Sequence, residues 1–259
     1  MGWVDPGSAA DLASNASPAA IRAAFEGWEG VDIIPLGFGA RAKRLLVADM
    51  DSTMIGQECI DELADYAGIK PQIAAITERA MAGELDFTAA LRERVALLDG
   101  LETSAIDRCL AERIRPSPGA AILIATMHAR GATTLLVSGG FTAFADPVGA
   151  MLGFDRVEAN RLDCADGRLT GTVSGRIVDA AYKAHQLAAL RDELGLEPSD
   201  TIAIGDGAND APMVAAARLG IAYRAKPALI EVADARLDHH GLDALLWAQG
   251  ISRADWVNA

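Results

Sequence analysis

Cysteine, aromatic residues and long apolar runs are all scarce in this chain of 259 residues. Its three cysteines, Cys59, Cys109 and Cys164, are odd in number and widely spaced, so we expect free thiols and no disulfide framework. There is no run of about 18 apolar residues that would predict a membrane-spanning helix. A basic region followed by an apolar core, which would predict a signal peptide, is also missing. We therefore expect a cytoplasmic protein.

Positive charge is scarce as well, because 23 Lys and Arg residues stand against 36 Asp and Glu residues and leave a formal net charge of -13. Nucleic acids and anionic membranes bind clustered cations, so neither is an expected partner. The chain is 51% hydrophobic, which at this length is enough to bury a full core. An anionic small-molecule substrate would need local positive charge from a few side chains.

Apolar runs at 45–48, 132–137 and 201–204 alternate with helical patterns along the chain. This alternation predicts an α/β fold with a doubly wound parallel sheet and right-handed crossovers. A β-hairpin is predicted at 154–178, with its turn at Asp166-Gly167.

A helical region separates the first two strands. It contains helical stretches divided by Gly or Pro, at 59–66, 71–81, 87–98 and 104–114. We predict a small helical cap at 57–130, inserted after the first strand, and a catalytic core made of 44–56 and 131–259.

Residues 1–43 are too few for an ordinary independent domain. We predict that they form an N-terminal arm or the remnant of a longer segment. Within them, a helix is predicted at 17–28 and a short strand at 31–35.

Two carboxylates, Asp49 and Asp51, directly follow the first strand. Strand side chains alternate between faces, so the two emerge on one side, at the edge where open α/β sheets carry ligand sites. Like charges repel, and a natural partner for the pair is Mg²⁺ with the phosphate that it clamps. An isolated Asp-x-Asp is more often a turn or a helix cap. After a buried strand, the pattern favours a nucleophile, Asp49, and a general acid and base, Asp51.

Two further polar clusters follow later strands. Ser138-Gly139-Gly140 offers a hydroxyl and unobstructed N–H groups at a predicted helix N-terminus, which suits an anion, although Ser-Gly-Gly alone is as often a turn. Asp206, Asn209 and Asp210 follow the strand at 201–204, and Lys183 lies near the start of the preceding helix. The carboxyl ends of parallel strands share one edge, so these clusters are predicted to converge with Asp49 and Asp51 into a site for phosphoryl chemistry.

Four segments of the chain resemble, in the same order, the four motifs of the haloacid dehalogenase (HAD) superfamily. They are Asp49-Met50-Asp51-Ser52-Thr53, Ser138-Gly139-Gly140-Phe141, Lys183 and Gly205-Asp206-Gly207-Ala208-Asn209-Asp210. Glu58, the segment 87–94 and Ala159-Asn160-Arg161-Leu162 resemble the phosphoserine phosphatases within that superfamily. The resemblance covers residues 44–247.

The resemblance implies a HAD-like Rossmannoid core and Mg²⁺-dependent hydrolysis of O-phospho-L-serine through an aspartyl-phosphate, the last step of serine biosynthesis. Asp49 would be the nucleophile and Asp51 the general acid and base. Mg²⁺ would be held by the side chains of Asp49 and Asp206 and by the backbone carbonyl of Asp51, with Asp210 and Asn209 supporting the site.

The substrate-binding residues that the resemblance implies fall into two groups. Ser138, Gly139, Gly140 and Lys183 would hold the phosphoryl group. In the cap, Glu58 would bind the ammonium group of the serine moiety and Arg94 its carboxylate, with Met81 and Phe87 as apolar walls.

Three alternatives remain open on the sequence. The chain could be a phosphatase for another small ester such as phosphohomoserine, a phosphotransferase, or a regulatory module in which phosphorylated Asp49 is read by a partner. Glu58 and Arg94 favour an amino-acid ester. Asp51 and the large cap disfavour the regulatory module.

Overall fold

The computed structural model describes residues 2–25, 27–37, 39, 41–81 and 83–258, except for the side chain of Met81. The strands are β1 (Gly2–Asp5), β2 (Ala9–Asp11), β3 (Leu45–Ala48), β4 (Thr133–Phe141), β5 (Arg156–Ala165), β6 (Arg168–Ser174), β7 (Thr201–Gly205), β8 (Leu219–Tyr223) and β9 (Ala235–Leu237). The α-helices are α1 (Pro18–Ala24), α2 (Cys59–Tyr66), α3 (Lys70–Met81), α4 (Phe87–Ala96), α5 (Ser104–Glu112), α6 (Ala120–Ala129), α7 (Thr142–Leu152), α8 (Ala180–Glu193), α9 (Ala211–Ala216), α10 (Pro227–Ile230) and α11 (Ala244–Ala248).

A central sheet has the strand order β6-β5-β4-β3-β7-β8-β9, in which all neighbours are parallel except β5 and β6. Strand β3 lies in the middle, between β4 and β7, and its four residues are fully buried. A parallel strand covered on both faces has an apolar residue at every position, as β3 does. The predicted parallel sheet is confirmed, and its carboxyl ends share one edge.

Helices cover both faces of the sheet. Leu46 and Ala48 of β3 belong to an apolar cluster that includes side chains of α6, α7 and α11. Leu45 and Val47 point to the other face, where the cluster includes side chains of α8, α9 and α10. The prediction of a doubly wound sheet is therefore confirmed.

Helices α2, α3, α4 and α5 follow β3, and we call them the cap. Their positions agree with the four helical stretches predicted from the sequence to within two residues at either end. Cap side chains such as Leu63, Leu91 and Ile106 belong to the same apolar cluster as one face of the sheet, which anchors the cap to the core. Helix α6 contacts β4 and α7. The proposed boundaries of the cap, at 57 and 130, stay a prediction.

The N-terminal arm differs from its prediction. Strands β1 and β2 form an antiparallel hairpin that was not predicted, and α1 is shorter than the helix predicted at 17–28. The predicted strand at 31–35 is wrong, since this segment is irregular. Hydrogen bonds to a side chain, and not pairing with another strand, hold this segment in place. The carboxylate of Asp32 accepts the backbone N–H groups of Asp238, His239 and His240 at 2.8–3.2 Å. None of the helices in the described residues has the length and apolarity needed to cross a membrane.

Candidate active site

Asp49 and Asp51 lie where the central strand ends. The N–H of Asp49 donates to the carbonyl of Ile204 at 3.0 Å, so the parallel pairing with β7 extends one residue beyond β3. The chain then turns over Met50–Met54, and Ser52 adopts a left-handed conformation with φ of 52°. Asp49 at the end of the strand and Asp51 in the turn therefore both lie at the carboxyl edge of the sheet, as the sequence predicted.

Three buried carboxylates meet at this edge. One oxygen from each of Asp49, Asp206 and Asp210 lies within 4.8 Å of the others. Gly205 makes the approach possible, because a Cβ at that position would lie 2.5 Å from the Asp210 side chain. Closely packed carboxylate oxygens are the donor set that a hard divalent cation prefers, so these residues fit Mg²⁺. The side chain of Asp51 is not part of this cluster; its implied ligand is the backbone carbonyl.

Lys183 lies beneath the carboxylates. Its Nζ is 2.7 Å from an oxygen of Asp49 and 2.7 Å from an oxygen of Asp210, and the lysine side chain is only 1% exposed. Burial opposes its charge, but the two carboxylates more than compensate and raise the pKa of Lys183 above its usual value. Burial, followed by the charge of Asp210, raises the pKa of Asp49. One lysine thus offsets only part of the negative charge.

Asp51 lies in different surroundings. Its Oδ1 is buried and accepts no hydrogen bond from the described residues. Burial, followed by the charge of Glu58, raises the pKa of Asp51 to about 7. A carboxyl group with this pKa can both donate and accept a proton near neutrality, which is what general acid and base catalysis requires.

Ser138, Gly139 and Gly140 lie within β4, since the strand continues to Phe141 and α7 begins at Thr142. The predicted position at a helix N-terminus is therefore wrong by two residues. Side chains would be crowded here: a Cβ on Gly139 would lie 3.1 Å from the ring of Phe87, and one on Gly140 would lie 3.1 Å from an oxygen of Asp51. The backbone can thus approach a ligand closely.

The cap closes the other side of a cavity of about 190 Å³. Its lining residues are Asp49, Asp51, Glu58, Ile60, Phe87, Leu91, Arg94, Ser138, Gly139, Gly140, Phe141, Asp206, Asn209 and Lys226. A cavity of this size suits a small-molecule ligand.

Two cap residues of opposite charge face this cavity. The carboxylate of Glu58 accepts the hydroxyl of Ser52 at 2.7 Å, which fixes its orientation. Arg94 donates to the carbonyl of Ala90 on its own helix, and no salt bridge to Arg94 forms among the described residues. Burial lowers the pKa of Arg94, so its charge is incompletely solvated and would gain from an anionic ligand.

Most of the residues predicted from the sequence therefore surround one cavity. Lys183 and Asp210 do not line the cavity. Lys183 contacts both Asp49, which lines it, and Asp210. Asn209 lines the cavity, and its Nδ2 lies 3.4 Å from an oxygen of Asp49. The side chain of Met81 lies outside the described part of the chain, so its predicted role stays a prediction.

Lys226 is a cavity residue that lies outside the sequence motifs. Its Nζ is 3.3 Å from an oxygen of Asp206, and its N–H donates to the Asp206 carbonyl at 2.8 Å. It follows β8, so it lies on the same edge of the sheet as the motifs. The available signal was the position of Lys226 three residues after an apolar run, Leu219–Tyr223, which ends at the same edge.

The sequence and the fold have counterparts among known proteins. A sequence profile of the haloacid dehalogenase-like hydrolases matches residues 46–215. A solved structure described as a phospho-aspartyl intermediate analogue of phosphoserine phosphatase superposes with a TM-score of 0.73 and 39% identity, covering 80% of this chain and 98% of the other.

Two curated relatives are similar over most of this chain. The phosphoserine phosphatase of Streptomyces coelicolor is 46% identical over 228 residues, which are 87% of this chain and 55% of that protein. The phosphoserine phosphatase of Idiomarina loihiensis is 49% identical over 202 residues, which are 78% of this chain and 91% of that protein. The chain thus spans little more than half the length of the first relative and nearly all of the second.

Proposed function

The chain belongs to the haloacid dehalogenase-like hydrolase family, and on that premise we propose that it hydrolyses O-phospho-L-serine to L-serine and phosphate. The similarity to two proteins named phosphoserine phosphatase supports this substrate. Under this proposal the reaction is the last step of serine biosynthesis, and it takes place in the cytoplasm.

The observation that carries the proposal is the distribution of charge around the cavity. Asp49, Asp51 and the Ser138–Gly140 segment form its core side, where a phosphoryl group would react. Glu58 and Arg94 face it from the cap. An amino acid presents one ammonium and one carboxylate group at a fixed separation, and an anion just before α2 and a cation on α4 that line the same cavity can bind the two groups together. A phosphate ester without an amino-acid moiety would leave both charges without a counter-charge from the substrate.

In the proposed reaction, a carboxylate oxygen of Asp49 attacks phosphorus and the bond from phosphorus to the serine oxygen breaks. Asp51 donates its proton to that oxygen, and L-serine leaves. Asp51 then accepts a proton from a water molecule that attacks the aspartyl-phosphate, which releases phosphate and restores Asp49. The raised pKa of Asp51 supports its role as acid and base.

The side chains of Asp49, Asp206 and Asp210 support Mg²⁺ as the cofactor, with the backbone carbonyl of Asp51 as a further ligand. When bound, the ion would neutralise the carboxylates and the charge of the phosphoryl group. Ser138, the backbone of Gly139 and Gly140, and Lys183 would hold the phosphoryl group, and Lys183 also contacts Asp49. Phe87 supplies an apolar wall.

The experiment that tests the proposal is phosphate release from a panel of esters, with Mg²⁺ and with EDTA. The panel contains O-phospho-L-serine, its D-enantiomer, phosphothreonine, phosphohomoserine and p-nitrophenyl phosphate. We expect Mg²⁺-dependent turnover with the highest kcat/KM for O-phospho-L-serine. Equal activity over the panel would contradict the roles of Glu58 and Arg94. Transfer to an added alcohol would point to a phosphotransferase, and a phosphoenzyme that survives for hours would point to a regulatory module.

A further inference from the structure

Asn160 is a buried polar residue that connects two segments of the site. It lies on β5, and its side chain is buried, with the residue 1% exposed. Its Nδ2 donates to the carbonyl of Gly139 at 2.8 Å, and its Oδ1 accepts the N–H of Val178 at 2.8 Å. Both polar atoms of the amide are therefore hydrogen-bonded, one to the Ser138–Gly140 segment and one to the loop before α8.

The bond to Gly139 determines where the next N–H group points. A trans peptide is planar, and its carbonyl oxygen and N–H point in opposite directions. With the Gly139 carbonyl held towards Asn160, the N–H of Gly140 points the other way, where it donates to the Ser138 hydroxyl at 2.9 Å. Glycine has few steric limits on its backbone, so hydrogen bonds and not side-chain contacts hold this peptide in its orientation. A rotated peptide would direct a carbonyl oxygen at an anionic phosphoryl group.

The hydrogen bond to Val178 also constrains the position of Lys183. Asp179, the next residue, caps α8 by accepting the N–H of Tyr182. The N–H of Lys183 donates to the Asp179 carbonyl at 3.0 Å, and the side chain reaches Asp49. Asn160 thus fixes the spacing between a glycine segment and a lysine that approach the site from different elements.

We propose that Asn160 is a positioning residue for phosphoryl transfer, which sets the orientation of the Gly139–Gly140 peptide and its distance from the start of α8. This inference rests on the proposed function, because it assigns the Gly140 N–H and the Ser138 hydroxyl to which it donates to the side of the peptide that faces a phosphoryl group. Asn160 does not line the cavity and acts only through its two neighbours.

The chain offers a matched control for a purely structural role. Asp155 lies just before β5, and its Oδ2 accepts the N–H of Thr134 at 2.8 Å. It therefore connects β5 to β4 by a similar bond at the opposite end of the strands. Asp155→Asn replaces a carboxylate by an amide, Asn160→Asp does the reverse, and neither changes the size of the side chain much. Both remove or weaken a bond between β4 and β5, but only the second is close to the site.

The test is to compare the two variants by thermal unfolding, by kinetics with O-phospho-L-serine, and by the binding of inorganic phosphate in the presence of Mg²⁺. In Asn160→Asp a carboxylate oxygen would face the Gly139 carbonyl and repel it. We expect kcat to fall about 10²-fold, as when one donor to a developing charge is lost. We expect the dissociation constant of inorganic phosphate to rise about tenfold. Asp155→Asn should keep both values near those of the wild type while it lowers the melting temperature.

Equal loss of activity in the two variants, or unchanged phosphate affinity in Asn160→Asp, would overturn the inference. A wild type that binds phosphate but does not hydrolyse the ester would contradict the proposed function, and the phosphate comparison would still test Asn160. If Asn160→Asp does not fold, NMR of the wild type decides. The Asn160 side-chain NH₂ should then be protected from exchange, and the Gly140 amide should shift on phosphate addition; rapid exchange or an unmoved Gly140 signal would exclude the proposed role.

Discussion

Lys183 Nζ lies 2.7 Å from Oδ1 of Asp49, and both side chains are almost fully buried. The same Nζ is 2.7 Å from Asp210, so one cation holds two carboxylates together. Removal of one partner from a buried ion pair costs about 3–5 kcal/mol, because the remaining charges lose their compensation. Lys183 therefore stabilises the core as well as the candidate nucleophile.

Lys183→Met should lower the melting temperature strongly in EDTA and should abolish turnover. Because a cation that binds only the folded state adds stability, Mg²⁺ should recover more of the loss in this variant than it adds to the wild type. Thermal unfolding with and without Mg²⁺ measures both effects. Lys70→Met, at an exposed lysine of the cap, is the control and should change stability by less than about 0.5 kcal/mol. A Lys183→Met protein as stable as this control would contradict the interpretation.

The role of Asp51 can be tested through the leaving group. Serine needs a proton to leave, whereas p-nitrophenolate leaves as a stable anion. In Asp51→Asn, kcat/KM for O-phospho-L-serine should fall about 10²–10⁴-fold. With p-nitrophenyl phosphate, the same variant should release a burst of p-nitrophenolate and then turn over slowly, because the first step no longer needs the acid while the second still needs the base.

Stopped-flow absorbance resolves the burst. Asp49→Asn should show no burst and no turnover with either substrate, since it lacks the attacking carboxylate. Equal losses on both substrates in Asp51→Asn, without a burst, would argue against Asp51 as the acid.

Arg94 should determine affinity for the amino-acid moiety. In Arg94→Ala, the KM for O-phospho-L-serine should rise roughly 10–100-fold, because a hydrogen bond to a charged group is lost. The kcat/KM for p-nitrophenyl phosphate, which has no carboxylate, should stay unchanged. Arg92→Ala changes an exposed arginine on the same helix and should affect neither substrate. A loss on both substrates in Arg94→Ala would mean that Arg94 supports the cap and not substrate recognition.

The convergence of the site was predictable because it depends on local pattern and sheet geometry. Asp49 and Asp206 directly follow apolar strands, Ser138 lies near the end of one, and parallel strands place their carboxyl ends on one edge. The cap helices were predictable for a similar reason, since each has its own apolar periodicity. Each of these features is determined by residues within about ten positions of it in the sequence.

Features that depend on distant contacts were not predictable in this way. The segment around Asp32 has the apolar residues of a strand, but its position is set by hydrogen bonds to residues about 200 positions away. The strands of the β1–β2 hairpin have only four and three residues, which is too short for a recognisable alternating pattern. The side chain of Lys226 is 66% exposed. It lies at the site because its Nζ is close to the Asp206 carboxylate and its backbone N–H donates to the Asp206 carbonyl. Sequence spacing alone contains none of these relationships.

Asp32 should make the stability of the arm depend on pH. Burial favours the neutral form of this carboxyl, but hydrogen bonds from Asp238, His239 and His240 outweigh it and hold the pKa of Asp32 below its usual value of 3.8. A carboxyl with a lowered folded-state pKa stabilises the protein above its unfolded-state pKa. That contribution is lost as the pH falls through the folded-state value, because the folded protein then also takes up the proton.

Asp32→Asn should therefore destabilise the protein by about 1.5–3 kcal/mol at neutral pH, the usual contribution of hydrogen bonds to a charged group. The difference from the wild type should shrink below pH 3.8, as the wild-type carboxyl becomes protonated. Chemical unfolding at several pH values measures this difference, and Glu29→Gln, an exposed carboxylate of the same arm, should show none. Phosphatase activity should stay unchanged, because Asp32 lines a different surface from the cavity that contains Asp49. A difference between wild type and Asp32→Asn that persists unchanged at low pH would show that the side chain contributes through packing and not through its charge.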